Sequence, residues 1–214
     1  MDLRTGDPQL RSVYILRDPF PQTGGRPRVS DPTCTLILGG ARSGKSHHAE
    51  ALTLEAARAR DQVPVYLATF RPWGPPGDDP EMDDRVRRHR ERRGDAWTTE
   101  EVPVTLDAAL RVHAAEPVLV DCLTLWLTNL LLDDADVDTR IGLLVRALAD
   151  RSAPAVLVAN EVGLGLVPET PLGRRFRDEA GLLNQRVAAV CDRVLFVAAG
   201  LPLVLKDGGS PPPA

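Results

Sequence analysis

The stretch TLILGGARSGKSHHAEALTL, Thr35–Leu54, constrains this chain more than any other. An apolar run enters a glycine-rich turn and leaves it as a segment rich in Ala, Leu and Glu. Gly39, Gly44, Lys45 and Ser46 satisfy the spacing G-x-x-x-x-G-K-[ST]. Glycines are needed there because backbone N–H groups curl around phosphate oxygens only where no Cβ intervenes. The reading makes Gly39, Gly40, Ala41, Arg42, Ser43 and Gly44 a phosphate cradle. Lys45 reaches the β- and γ-phosphates, the Ser46 hydroxyl ligates Mg2+, and the helix that follows directs its unpaired N–H groups and positive end at the anion. The bland alternative is a glycine turn that binds nothing. The flanks argue against it, since Thr35–Leu38 reads as a buried strand and Ser46–Arg60 as a helix.

Strand and helix signals alternate through most of the remaining chain, which predicts an α/β fold with a mainly parallel sheet flanked by helices. Val63–Ala68 is a second strand, ending in Thr69 at the edge where doubly wound sheets hold ligands. A Pro/Gly loop follows, then a helix capped by Asp79, with Pro80 and Glu81 in its first turn and Arg90, Arg92 and Arg93 at its negative end. A short strand within Trp97–Val104 leads to a helix around Leu106–His113. Pro117–Asp121 is a third buried strand, closing on an acid. Leu123–Leu132 and Thr139–Ala149 read as helices and Pro154–Ala159 as a fourth strand. Leu172–Val190 is a long amphipathic helix with Phe176, Ala180, Leu183, Val187 and Val190 inward. Arg193–Ala198 and Leu201–Lys206, joined by Ala199-Gly200, form an antiparallel edge. Residues 1–33, rich in proline, read as a loosely ordered extension, 34–206 as the P-loop domain and 207–214 as a disordered tail.

With 43% apolar and 26% charged residues in a chain of 214, the composition is that of a globular protein able to bury a core. A formal net charge of −4 argues against nucleic acid as a partner. Cys34, Cys122 and Cys191 are far apart and each apolar in context, the pattern of buried free thiols in a reducing compartment. The first twelve residues lack the apolar core of a secretory signal, and Leu123–Leu132 is too short to span a bilayer. These features predict a cytoplasmic enzyme.

Beyond the glycine loop, His89 is the most informative residue. It lies among Arg85, Arg87, Arg88, Arg90, Arg92 and Arg93, a cation density that favours a neutral, nucleophilic imidazole. The same arginines suit a triphosphate. Local sequence leaves two readings open, a histidine that carries a nucleotide on its ring nitrogen and a solvated basic helix with a packed His. Asp121 reads as a Mg2+ partner, because an acid closing a buried strand needs a partner to offset its desolvation. His47 and His48 read as structural, and His113 has no comparable neighbours. Glu101 and Asp107 read as surface carboxylates. Asn160 and Glu161 fit either a polar turn or a site at a strand's end.

Six blocks carry a resemblance: GGARSGKS at Gly39–Ser46, YLAT at Tyr66–Thr69, the Glu81–Arg93 helix with His89, VDCLTLWLTNLL at Val120–Leu131, NEVGLGLVPE at Asn160–Glu169 and RRFRDEAGLLNQRVA at Arg174–Ala188. In this order they resemble the bifunctional adenosylcobinamide kinase / adenosylcobinamide-phosphate guanylyltransferase family of cobalamin biosynthesis, over Cys34 to about Lys206. The resemblance implies two reactions. A nucleoside triphosphate, ATP or GTP, phosphorylates adenosylcobinamide. GMP from GTP is then carried on a histidine to adenosylcobinamide phosphate, giving adenosylcobinamide-GDP and pyrophosphate. It puts the guanylylated histidine on His89 and nucleotide contacts on the P-loop, on Ala68, Thr69 and Phe70, on Arg90, Glu91, Arg92 and Arg93, on Glu101 and on Asp121. It implies Mg2+, a homotrimer and a P-loop fold like that of the recombinase ATPases. The chain departs from the common pattern in residues 1–33, in the long proline-rich loop after Phe70, and in having Asp at 121 where many relatives have Glu. The competing readings are a small-molecule kinase that leaves His89 idle and a nucleotide-dependent switch or ATPase.

Overall fold

The computed structural model describes residues 33–72, 84, 87 and 94–208. Apart from Asp84 and Arg87, the helix expected over residues 79–93 lies outside the described residues, as does the extension expected over 1–33 apart from Thr33. Among the described residues seven strands form one sheet: β1 (Cys34–Gly39), β2 (Val65–Ala68), β3 (Thr98–Glu101), β4 (Val118–Asp121), β5 (Ala155–Asn160), β6 (Arg193–Ala198) and β7 (Leu201–Asp207). Their spatial order is β3-β2-β4-β5-β1-β6-β7. Every pairing is parallel except β6 with β7, the antiparallel edge expected from the short turn between them.

The inner strands are apolar on both faces, as a parallel sheet covered on both sides requires. All six residues of β1 are buried. Side chains of one parity, among them Leu36, Leu67, Val120 and Leu157, pack with helices α2 (Leu106–Val112), α3 (Leu123–Leu132), α4 (Val137–Ala149) and α5 (Pro171–Val190). Those of the other parity, Ile37, Tyr66, Leu119, Val156 and Val158, pack with Ala49 and Leu52 of helix α1 (Lys45–Arg60). Ala180, Leu183 and Val187 of α5 are buried, and Phe176 and Val190 lie against the same core, so the predicted stripe is the one that faces inward.

Several polar side chains hold the frame at chosen points. Asp192, just before β6, accepts three hydrogen bonds at the entry of β1, from Thr33 N (2.8 Å), Thr33 Oγ1 (2.8 Å) and Cys34 N (3.0 Å). Asn129 of α3 donates to Thr69 O (2.8 Å) and Pro103 O (2.9 Å), stitching the loops that leave β2 and β3. Thr170 caps α5 by accepting from Gly173 N, with Pro171 in the first turn, where its missing N–H costs nothing.

Two expectations change. Asp107 is not a surface carboxylate: it is buried at the start of α2, with Arg111 and Arg140 each 2.9 Å from one of its oxygens. Those two guanidinium groups offset its desolvation, a compensation invisible from its own segment. The last strand also runs past Lys206 into the expected tail. Asp207 pairs with Arg193 on the neighbouring strand (3.0 Å), and Gly208 N donates to Asp192 O, so the ladder continues for as long as β6 offers partners.

Candidate functional site

Between β1 and α1, residues 40–44 wrap into a tight loop whose shape depends on its glycines. A Cβ on Gly39 would come within 2.5 Å of Val197 O and 2.6 Å of Ser43 Oγ, so any side chain there forces the loop off the sheet. Gly44, which begins α1, has φ +99, a left-handed conformation that L side chains resist. The loop is braced from the β6–β7 turn: Gly200 N donates to Ser43 O (2.8 Å), and His48 Nε2 donates to Gly200 O (2.9 Å). His48 is structural, as its place after Ser46 suggested.

Lys45 is 5% exposed despite its charge, and its Nζ donates to Gly40 O (2.9 Å), across the mouth of the loop. Ser46 opens α1 beside it. Ser43 Oγ is buried with no hydrogen-bond partner, an unsatisfied hydroxyl inside the cradle. An ammonium, an unsatisfied hydroxyl and the positive end of α1 meet at one loop, which is the chemistry a polyphosphate requires.

Asp121 ends β4, and strand parity decides where it points. Leu119 packs against the α1 side of the sheet, and two residues later the carboxylate emerges on that same side, where Ser46 begins its helix. Tyr66 shares this face, and its hydroxyl donates to Asp121 Oδ2. Behind Asp121, burial first and then the acid itself push the Cys122 thiol up to about 11, and Lys45 lies close enough to oppose them in part. Cys122 is therefore an inert thiol, and Lys45, Asp121 and Cys122 share one electrostatic neighbourhood. Thr69 is fully buried. Its hydroxyl donates to Cys122 O (2.8 Å) and accepts from Cys122 N (2.9 Å), fixing the backbone that carries Asp121.

The donor set suits Mg2+ held mainly through a nucleotide. Among the described residues no cluster of three His, Cys, Asp or Glu side chains is built to cage a metal. One carboxylate and one hydroxyl beside a phosphate cradle are what this ion takes when phosphates and water complete its shell.

Over residues 35–205 the chain matches the family described as cobinamide kinase / cobinamide phosphate guanyltransferase. Across 175 residues it is 47% identical to the bifunctional adenosylcobalamin biosynthesis protein CobP of Pseudomonas aeruginosa, an alignment covering 80% of this chain and 96% of that protein. Identity to the bifunctional adenosylcobalamin biosynthesis proteins CobU of Salmonella typhimurium and Escherichia coli is 38% over 188 residues, 80% of this chain and 98% of each. The chain belongs to the cobinamide kinase / cobinamide phosphate guanyltransferase family.

Within this member of the cobinamide kinase family, the fold gathers part of the predicted site and spreads out the rest. Gly39 to Ser46 and Asp121 meet at one edge of the sheet. Ala68 lies beside Asp121 in the ladder, and Phe70 is half-buried just beyond it. Glu101 ends β3 on the far side of β2, exposed. His89, Arg90, Glu91, Arg92 and Arg93 lie outside the described residues. Sequence reasoning missed Tyr66 as the partner of Asp121. The signal for it is parity: a tyrosine two residues before the strand's end, pointing to the same face as the neighbouring strand's acid, spans the two-residue rise with its ring. It also missed that His113 bonds Glu116 through Nδ1 (2.8 Å) and Glu100 through Nε2 (2.9 Å). Burial opposes its charge, but the two carboxylates outweigh burial and raise its pKa, so it ties α2 to β3 away from the phosphate loop.

Proposed function

We propose that this chain carries out the kinase and guanylyltransferase reactions of its family as phosphorylation of adenosylcobinamide by a nucleoside triphosphate and transfer of GMP from GTP to adenosylcobinamide phosphate, the second passing through His89. The observation that carries the proposal is the convergence of the Gly39–Ser46 cradle, Lys45 and Asp121 on one side of one sheet edge, in a chain of this family.

In the kinase half, loop N–H groups and Lys45 bind the triphosphate and face charge developing on the γ-phosphoryl group. The acceptor hydroxyl oxygen forms a bond to that phosphorus while the bond to the leaving nucleoside diphosphate breaks. Ser46 and Asp121 would hold Mg2+, which supplies further charge neutralisation to the phosphates. In the second half, an unprotonated nitrogen of His89 bonds to the α-phosphorus of GTP and pyrophosphate leaves. A phosphate oxygen of adenosylcobinamide phosphate then bonds to the same phosphorus, and the P–N bond breaks to return the imidazole. Arg90, Arg92 and Arg93 stabilise charge on the transferring group, and Ala68, Thr69, Phe70, Glu91 and Glu101 complete the nucleotide's surroundings. Three buried free cysteines support a cytoplasmic setting. Among the described residues no helix is long and apolar enough to cross a membrane. The assembly we propose is the homotrimer implied by the resemblance.

The test is incubation with Mg2+ and GTP labelled at the α-phosphate, then denaturing separation, beside His89→Ala. Label retained by the wild-type chain, labile in acid, stable in base and absent from the variant is the expected result. A folded, GTP-binding wild-type protein that retains no label overturns the nucleotidyl half and leaves the kinase.

A further inference from the structure

Asn160 is the last residue of β5, the strand lying between the P-loop strand β1 and the acid-bearing strand β4. It stands opposite Gly39, and Asp121 stands opposite Val158 on the other flank. Val156 and Val158 pack on the α1 face, so Asn160, two residues further on, is directed to the face that carries Lys45, Ser46 and Asp121. The backbone around it is pinned on both sides. Asn160 N donates to Thr124 Oγ1 (2.7 Å) and Glu161 N donates to Gly39 O (3.1 Å).

The side chain is not satisfied in the same way. Asn160 Oδ1 is buried and has no hydrogen-bond partner. A carboxamide oxygen withheld from water at a rigid strand tip is disfavoured unless a donor reaches it in some functional state. The chemistry of the site limits which donor that is. A triphosphate presents acceptors, so it can answer the orphaned Ser43 hydroxyl but not a carbonyl oxygen. On the kinase reading, loop N–H groups and Lys45 are taken up by the phosphates. In a kinase site the donors left beside the γ-phosphoryl group are the hydroxyl that attacks it and water on the metal, and the hydroxyl serves the kinase half alone, a difference the test below reads.

We propose that Asn160 accepts a hydrogen bond from the acceptor alcohol of the kinase reaction and so aims that oxygen at the γ-phosphorus. This rests on the kinase reading given above. A rotation about χ2 lets the carboxamide present its oxygen to the incoming hydroxyl while the backbone stays pinned. The oxygen's lone pair forms the new O–P bond, and the electrons of the breaking P–O bond leave with the nucleoside diphosphate. The hydroxyl proton ends on an oxygen of the transferred phosphoryl group, so no separate base or co-reactant is required. Because such transition states are loose, a neutral carboxamide suffices: orientation of the oxygen matters more than early removal of its proton. The guanylyl half has no alcohol at the γ-phosphoryl position and makes no use of this contact.

The test compares the full-length wild type with Asn160→Leu and Asn160→Asp. It measures steady-state phosphorylation of adenosylcobinamide by ATP, single-turnover labelling of the chain by α-labelled GTP, and thermal melting. Asn160→Leu is expected to lower the kinase kcat by about 10²–10³-fold, the usual effect of deleting a positioned hydrogen bond. Its KM for ATP and its labelling rate should stay within about three-fold of wild type, and its Tm should be equal or higher, since an orphaned buried acceptor has been removed. Asn160→Asp keeps an acceptor oxygen and should recover at least about ten-fold of the loss. A kinase kcat for Asn160→Leu within about three-fold of wild type overturns the assignment. So does equal loss of phosphorylation and labelling, which would indicate a shared role such as a metal-bound water, or loss that follows a fall in Tm. If the wild type takes label but phosphorylates nothing, the kinase reading fails and the assignment fails with it; an active wild type beside an indifferent Leu variant overturns the assignment alone.

Discussion

At the scale of single residues, the site is held by side chains that fasten its backbone and its acid. Thr69 fixes the backbone after Asp121 from both its donor and its acceptor side. Tyr66 donates to one oxygen of Asp121. Its ring is fixed in turn by an edge-on contact with Trp97, centroids 5.9 Å apart and planes at 88°. Tyr66→Phe keeps that packing and removes only the hydroxyl. The carboxylate then loses that one donor, so the Mg2+ concentration needed for half-maximal activity should rise by about five- to ten-fold, with Tm nearly unchanged. A Mg2+ titration of phosphoryl transfer in the two proteins checks this. An unshifted titration curve would mean that Asp121 is oriented without this bond.

At the scale of elements, the P-loop strand is fastened where it enters the sheet. Asp192 gathers three donors around one carboxylate oxygen. Burial pushes its pKa up, but the bonds from Thr33 and Cys34, helped by Lys206, outweigh burial and hold it below the ordinary 3.8. The sign follows from linkage. A carboxylate with a depressed folded-state pKa stabilises the fold above its unfolded value, and the contribution is lost as pH falls through the folded value. Asp192→Ala should therefore cost about 1–3 kcal/mol at neutral pH. The gap in melting temperature between variant and wild type should narrow as pH falls below 3.8. Melting curves across that range check both the size and the direction. A gap that is constant with pH would assign the loss to packing.

At the scale of the whole molecule, what was legible in the sequence was whatever a segment specifies about itself. The apolar runs of β1, β4 and β5, the glycine loop, the stripe on α5 and the short β6–β7 turn all carry their instructions locally. Asp121 was legible too, because a charge at the end of an apolar strand is conspicuous. The pairings Tyr66 with Asp121, Thr69 with Cys122 and Asp107 with Arg140 were not, since each depends on which strands or helices become neighbours. No local pattern says that β5 inserts between β1 and β4. That insertion sets Asn160 beside the cradle, although more than a hundred residues separate Asn160 from Gly39 along the chain.

The same strand order governs when the protein can assemble during synthesis. β1 is made early, but its two neighbours, β5 and β6, are the fifth and sixth strands to emerge. Until then its backbone groups have no ladder to join, and closing so long a loop makes the central pairing slow. A chain ending at Arg151 contains the whole glycine loop and Asp121 yet lacks both partners of β1. We expect that fragment to show no cooperative melting and no retention of a fluorescent GTP analogue, whereas the full chain shows both. A fragment that bound the analogue would mean that loop and helix can form without the sheet. Nucleotide capture is thus a late event in the life of the nascent chain, which spends most of its synthesis with a strand destined for full burial in search of a neighbour.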